Sequence, residues 1–312
     1  MIEQQKTLYD VIIIGGGPAG LSAALILGRC LRNVLVFDIG KPRNISSQHM
    51  HGFLSRDGEN PMEFLNIGRG QLKEYGVEIK SNEIFRATQY DNNTFEVADK
   101  DCNIFYSKKL LIATGLVDDI PELEGIDKLY GTSVHHCPYC DGWEVRQKPL
   151  AVYGKGKSGA GLAVTLTTWS DDIILFTDGK EINEEERMLL NLKGIKTIDT
   201  KIKNLLGTDG MLEKVVLEDG REIKREALFF TTEQYQRSNI AAQLGCAFTH
   251  LGVVATDKHQ QTNVPGVYVA GDAARDMQLV IIAAAEGAKA AVIINKVLQK
   301  EERDLIQSEV MK

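Results

Sequence analysis

The chain sets short apolar runs against turns punctuated by glycine. Val11-Ile12-Ile13-Ile14 is an unbroken apolar run, as expected of a parallel strand buried on both faces. Gly15-Gly16-Gly17-Pro18-Ala19-Gly20 follows and fits G-x-G-x-x-G. Leu21 to Leu31 reads as an apolar helix, and Val34-Leu35-Val36-Phe37 as a second strand that ends at Asp38. Strand, turn, helix and strand fit within about 30 residues, the usual size of such a unit.

The same order recurs 139 residues further on. Leu150-Ala151-Val152-Tyr153 is the strand and Gly154-Lys155-Gly156-Lys157-Ser158-Gly159 the turn. Gly161 to Trp169 reads as helix, Ile173-Ile174-Leu175-Phe176 as the next strand, and Asp178 follows. Asp38 stands 23 residues after Gly15, and Asp178 stands 24 after Gly154. Two glycine turns, each in this context with a trailing acid, predict two dinucleotide sites. The first glycine permits the tight turn, the second lets backbone approach a pyrophosphate, and the third lets the helix pack close to the strand. Amides at the helix start hold the phosphates, and the acid can bond ribose hydroxyls.

Lys108 to Gly115 reads as a strand ending in Ala113-Thr114-Gly115, and Thr262 to Asp272 as another ending in Gly271-Asp272. An Ala-rich helix, Leu279 to Leu298, follows, with Gly287 permitting close packing. Both flanks resemble segments of an FAD domain, while the second glycine turn lies between them. The expected fold is therefore α/β, with two Rossmann-like dinucleotide-binding domains, the second inserted into the first. The outer domain would span about 1–117 and 247–312, and the inner about 118–246.

Composition narrows the class. The 312 residues are 43% hydrophobic and 25% charged, normal for a globular protein with a sizeable core. A net charge of −7 argues against nucleic acid or an anionic membrane as partner. The apolar stretch Val11 to Leu27 is broken by glycines and Pro18, and Met1 to Asp10 lacks the positive bias of a signal peptide. A cytoplasmic protein is expected. Five cysteines, an odd and sparse set, exclude a disulfide-stapled scaffold. Cys30, Cys102 and Cys246 read as small buried apolar residues.

The candidate chemistry sits in His135-His136-Cys137-Pro138-Tyr139-Cys140-Asp141-Gly142. A C-x-x-C spacing brings two sulfurs within reach of a reducible disulfide, and a helix start would lower one thiol pKa. Asp141 or His136 would then supply or take the proton at the leaving sulfur. A redox dithiol is the favoured reading, with no metal. The alternatives are a zinc site, whose four ligands within six residues leave poor tetrahedral reach, a glutaredoxin-like site, and an inert thiol pair.

With these residues in view, the chain resembles the low-molecular-weight thioredoxin reductase family. Gly15 to Gly20, Ala113-Thr114-Gly115, Cys137 to Gly142, Gly154 to Gly159, and Val264-Pro265-Gly266 through Gly271-Asp272 carry the likeness, in the family's order and over nearly the whole chain. The resemblance implies FAD in the outer domain, NADPH or NADH in the inner domain, and a homodimer. It implies that Cys140 faces the flavin, that Cys137 attacks the disulfide of a thioredoxin-like protein or small molecule, and that Asp141 is the acid–base group. Gly271-Asp272 would hold the flavin's ribityl and pyrophosphate region. The family's inner domain turns, presenting nicotinamide or dithiol to the flavin by turns.

The chain departs from that pattern in three places. Where thioredoxin reductases carry a His-Arg-Arg run for the 2′-phosphate of NADPH, this sequence has Thr177-Asp178-Gly179-Lys180. The acid favours a free 2′-hydroxyl, hence NADH, or marks a weakened site. The inner turn keeps its glycines but not the family's other side chains. His49 to Gly58 and Cys137-Pro138-Tyr139-Cys140 resemble a branch of flavin-dependent dithiol oxidases, in which a small dithiol is oxidised and oxygen is the acceptor. Asp141 leans toward the reductase, since those oxidases tend to carry histidine there.

Overall fold

The computed structural model describes residues 7–91, 94–275 and 277–311, so the first six residues of the N-terminal reading lie outside the described ones. In chain order the elements are β1 Leu8–Ile14, α1 Pro18–Arg29, β2 Val34–Phe37, α2 Pro61–Leu72, β3 Glu78–Lys80, β4 Ile84–Gln89, β5 Phe95–Asp99, β6 Ile104–Ile112 and β7 Leu116–Asp118. Next come β8 Val134–His135, α3 Pro138–Asp141, β9 Leu150–Tyr153, α4 Gly156–Leu166, β10 Ile173–Phe176, α5 Glu184–Leu192 and β11 Lys196–Ile198. The chain closes with β12 Ile202–Thr208, β13 Met211–Leu217, β14 Glu222–Lys224, β15 Ala227–Phe230, β16 Gln234–Gln236, α6 Ile240–Gln243, β17 Val267–Val269 and α7 Val280–Val310.

These elements form two lobes. In the outer lobe β3, β2, β1 and β6 pair in parallel, β17 joins β6, and the antiparallel pair β5–β4 extends the other end of β6. In the inner lobe the parallel order is β11-β10-β9-β15-β8, beside the antiparallel trio β12-β13-β14. The apolar runs behave as a doubly covered sheet requires. Ile12 and Ile14 enter one core and Val11 and Ile13 the other. On β9, Ala151 faces one inner core, and Leu150 and Val152 face the second.

The lobes are linked by an antiparallel ribbon, β7 on β16, with Tyr235 opposite Val117. Because the chain returns along this ribbon, Ile240, Ala241 and Cys246 pack in an outer core, ahead of the expected return at 247. Each buried apolar cluster among the described residues belongs to one lobe. Among those residues no helix is long and apolar enough to cross a membrane.

Helix ends differ from the sequence reading for local reasons. Helix α1 starts at Pro18, not Leu21, because proline at the first helical position is already set to the helical φ. It stops at Arg29, and Leu31 stands out at φ 58° and 95% exposed. Helix α4 starts at Gly156, so the glycine turn supplies its own first helical turn. Helix α7 continues to Val310 rather than ending at Leu298, since neither glycine nor proline interrupts it. Cys30 and Cys102 are exposed, against expectation, because both fall at connections; Cys246 is buried.

Helices α1 and α7 cross at the expected glycine. A Cβ on Gly287 would lie 1.9 Å from the Ala19 carbonyl oxygen, a backbone atom that cannot step aside. Gly287→Ala should therefore destabilise the protein by about 1–3 kcal/mol, the usual cost of overpacking. Gly70→Ala on α2, where a Cβ meets open space, should instead stabilise by roughly 0.5–1 kcal/mol. Thermal denaturation of both variants reads the contrast; equal effects would refute the packing account.

Candidate functional site

The two glycine turns share one geometry. A Cβ on Gly20 would fall 1.8 Å from the Gly15 carbonyl oxygen, and one on Gly159 would fall 2.5 Å from that of Gly154. Each third glycine thus admits the close helix–strand approach. Around the middle glycines, Gly17 and Gly156, a Cβ would meet no atom within 4 Å, which leaves the backbone open to a phosphate.

One cavity of about 1470 Å³ collects most of the residues singled out by sequence. Gly15, Gly17, Pro18, Ala19 and Asp38 line it from the first unit, Ala113-Thr114-Gly115 from the end of β6, and Gly271-Asp272 from beyond β17. His136, Cys137, Cys140 and Asp141 close it from the inner lobe, together with Ser158. Gly20 packs behind this wall, while Gly154, Gly156, Gly159 and Asp178 stand apart from it.

This cavity fits FAD. It accepts backbone approach at Gly17, and the buried Thr114 hydroxyl within it has no partner in the protein. At its rim Asp38 is held ready: Oδ1 accepts from the Gly40 amide at 3.0 Å, and Oδ2 accepts from Arg69 at 2.7 and 3.2 Å. Gly16 must be glycine for the same reason, since a Cβ would sit 2.4 Å from the Asp38 carboxyl carbon.

Cys137 and Cys140 are joined as a disulfide, with Cα atoms 5.3 Å apart. Cys137 caps α3 at φ −114°, and the Cys140 and Asp141 amides both donate to its carbonyl at 3.2 Å. Helix α3 is a single turn of four residues, so its dipole is small, and the helix-start argument for a lowered thiol pKa loses most of its force. Asp141 pairs with His135, Oδ1 to Nδ1 at 3.3 Å, and His135 Nε2 is buried without a partner. Among the described residues no three His, Cys, Asp or Glu side chains converge as a metal site would require.

Sequence reading missed the polar hub beside the dithiol. Arg43, on the loop after β2, donates from Nε and Nη2 to Asp118 at 2.6 and 2.5 Å. Its Nη1 donates to Asp272 at 3.0 Å and to Gln278 at 2.5 Å, and its Nη2 reaches His136 Nε2 at 3.3 Å. Burial works against the charge on Arg43, but Asp118 and Asp272 outweigh it and raise its pKa. Burial likewise works to lift the Asp118 carboxyl, and Arg43 holds it below the ordinary range. A single arginine in a polar loop has no periodicity, so only the fold reveals this role.

The Arg43 contact favours the neutral form of His136, although Asp118 Oδ2 lies 3.9 Å from the same nitrogen. Arg43 can only donate, so Nε2 accepts, the ring proton lies on Nδ1, and that atom meets the Tyr130 hydroxyl at 3.1 Å. Burial, helped by Arg43 and opposed by Asp118, lowers its pKa from 6.5. Burial also pushes Tyr130 up to about 12. In the unfolded chain His136 takes up a proton near 6.5, which the folded protein resists, so this residue's share of stability falls as pH drops below that value. Wild type should lose melting temperature relative to His136→Phe between pH 7.5 and 5, as measured by parallel thermal scans. A constant difference would show that His136 does not titrate as described.

The second dinucleotide unit is arranged otherwise. Asp178, at φ 56°, pairs with Lys155 at 3.3 Å. It also bonds Tyr153, whose pKa burial and this bond push up to about 12. The acid that should meet a ribose is thus engaged by two side chains of its own unit.

Comparison with known proteins agrees with this arrangement. Residues 9–287 match the family model described as pyridine nucleotide-disulphide oxidoreductase. Thioredoxin reductase tcpT of Claviceps purpurea is 32% identical over 279 residues, covering 86% of this chain and 87% of its own. The crystal structure of HlmI superposes with a TM-score of 0.94 at 33% identity, covering 97% of each chain. An oxidoreductase from Agrobacterium tumefaciens superposes at 0.87 with 32% identity, covering 94% of this chain and 99% of its own. With its disulfide and its cavity, the chain belongs to the pyridine nucleotide-disulphide oxidoreductases of thioredoxin reductase type, flavoproteins that use FAD and NAD(P)H to act on sulfur groups.

Proposed function

We propose that this enzyme reduces an external disulfide, that of a thioredoxin-like protein or a small molecule, through Cys137 and Cys140. The observation that carries the reading is the opening of both cysteines onto the cavity that fits FAD. FAD supplies the two-electron relay between nicotinamide and disulfide. Reduction of the Cys137–Cys140 bond leaves two thiols. Cys137, the half-exposed residue at the start of α3, attacks the substrate disulfide as thiolate and forms a mixed disulfide. Cys140 then attacks Cys137 and releases the second substrate thiol. Asp141, paired with His135, supplies and recovers the proton at the leaving sulfur.

The inner lobe, from β8 to β15, must turn about the β7–β16 ribbon for its glycine turn to bring nicotinamide to the same cavity. The confinement of each apolar core to one lobe supports this, because such a turn breaks no core. We further propose a homodimer, measurable by sedimentation.

The Lys155–Asp178 pair favours a second reading. If the inner unit takes nicotinamide poorly, a small dithiol would reduce the Cys137–Cys140 bond and oxygen would accept the two electrons, giving a disulfide and hydrogen peroxide.

Anaerobic titration of the FAD-loaded protein with NADH and NADPH in parallel separates the two. Bleaching by NADH with at least about tenfold preference over NADPH is expected, since Asp178 repels a 2′-phosphate. Asp178→Asn should narrow that preference. No bleaching by either nucleotide, with bleaching by a small dithiol, would establish the oxidase instead. In Cys140→Ser, disulfide reduction should vanish while bleaching by nucleotide persists; loss of both would refute the division of labour between the lobes.

A further inference from the structure

Polar contacts join the lobes near the dithiol, and one residue anchors them. Three contacts join the outer loop that follows β2 to the inner lobe. Arg43 Nη2 donates to His136 Nε2 at 3.3 Å. The Ser46 carbonyl comes so close to Gly131 that a Cβ there would lie 2.1 Å from its oxygen. His51 Nε2 lies 3.5 Å from Glu144 Oε1. Of these, only the Arg43 contact reaches the residue next to Cys137.

Arg43 is itself fixed to parts that do not turn with the inner lobe. Asp272 and Gln278 belong to the outer lobe, and Asp118 lies on the ribbon. Gln234 of the opposite ribbon strand donates to Asp118 at 2.9 Å and pairs with Gln278, stiffening the anchor. His136 leads directly into Cys137, so whatever holds its ring also fixes where the dithiol faces.

We propose that Arg43 is a positioning residue that docks the Cys137–Cys140 lobe at the flavin cavity by donating to His136, and that breaking this bond releases the lobe to turn. The inference rests on the reading above that the inner lobe turns. A hydrogen bond from a charged donor corresponds to roughly a ten- to hundredfold population bias. That is enough to make docking the resting orientation and small enough to be broken in each cycle.

Two variants test the latch in the FAD-loaded protein. His136→Phe removes the acceptor but keeps an aromatic ring between Tyr130 and Phe230, and leaves Arg43 with both aspartates. Arg43→Lys keeps the charge beside Asp118 and Asp272 but loses the planar fork. Small-angle X-ray scattering reports orientation without chemistry, and anaerobic stopped-flow reads each half-reaction. Bleaching by NAD(P)H needs the turned lobe; bleaching by dithiothreitol through the disulfide needs the docked one.

In both variants, scattering should shift toward the turned form. Bleaching by dithiothreitol should slow about tenfold, while bleaching by NAD(P)H holds or accelerates. A purely structural defect would slow both legs. Unchanged scattering in both variants overturns the latch, even if His136→Phe alone loses the dithiol leg, which would make His136 a proton-transfer group only. If scattering shifts in both variants but NAD(P)H bleaches none of the three proteins, the latch stands and the reductase reading falls.

Discussion

A guanidinium taken out of water must have its N–H groups matched, and Arg43 matches all five of its own. Nε takes one Asp118 oxygen, Nη1 takes Asp272 and Gln278, and Nη2 takes the second Asp118 oxygen and His136. Its side chain is 15% exposed and that of Asp118 is 5% exposed, so neither charge is tolerable without the other. The four partner residues come from the outer lobe, the ribbon and the inner lobe. Satisfying one buried charge therefore fixes how three parts of the fold meet, and with it the wall of the cavity that carries the disulfide. An apolar contact of the same size would hold the lobes without specifying the angle. The planar fork specifies it.

The two glycine turns show how one local rule serves two settings. In both, the third glycine is forced by the helix crossing the strand, and the middle glycine leaves backbone open. The difference lies in what surrounds the trailing acid. Asp38 lines the large cavity, with Gly40 and Arg69 holding its carboxylate. Asp178 is drawn to Lys155 and Tyr153 within its own unit. Both acids are ion-paired, Asp38 to Arg69 at 2.7 Å and Asp178 to Lys155 at 3.3 Å, and they differ in that only Asp38 lines the large cavity. Such pairs contribute at most about 1 kcal/mol. The Lys155–Asp178 pair is therefore a small term beside the geometry of the turn itself.

The sequence disclosed what is periodic or locally spaced. The parallel strands were legible because burial on both faces leaves no polar position, as at Val11 to Ile14 and Ile173 to Phe176, all buried. The turns were legible because their glycines answer to backbone atoms a few residues away, or to the end of β6. The gathering of Gly271-Asp272, the Ala113 segment and the C-x-x-C into one cavity followed from resemblance, and the structure places them there. What stayed hidden was long-range and polar. Arg43 meets Asp118 across 75 residues and Asp272 across 229, and no window of sequence holds both ends of either pair. The exposure of Cys30 and Cys102 was misjudged for a related reason. Composition assigns cysteine to the core, while position at the end of α1 and in the β5–β6 turn decides otherwise.

The character of the lobe boundary follows from these parts. Apolar cores resist being opened because their surface, once wetted, costs about 25 cal/mol per Å². Here each buried core among the described residues closes within its own lobe, and near the dithiol Arg43 meets His136, His51 meets Glu144 and the Ser46 carbonyl meets Gly131. Against water, polar contacts of this kind are worth roughly 0.5–3 kcal/mol each, less than the opening of a core costs. The proposed rotation of one lobe against the other would then be governed by directional bonds more than by buried area. A proton on His136 would cost Nε2 its role as acceptor from Arg43, while Asp118 Oδ2, 3.9 Å away, would favour the charge. On the proposed turning of the inner lobe, cores that close separately leave the boundary to adjust at the residue that precedes Cys137.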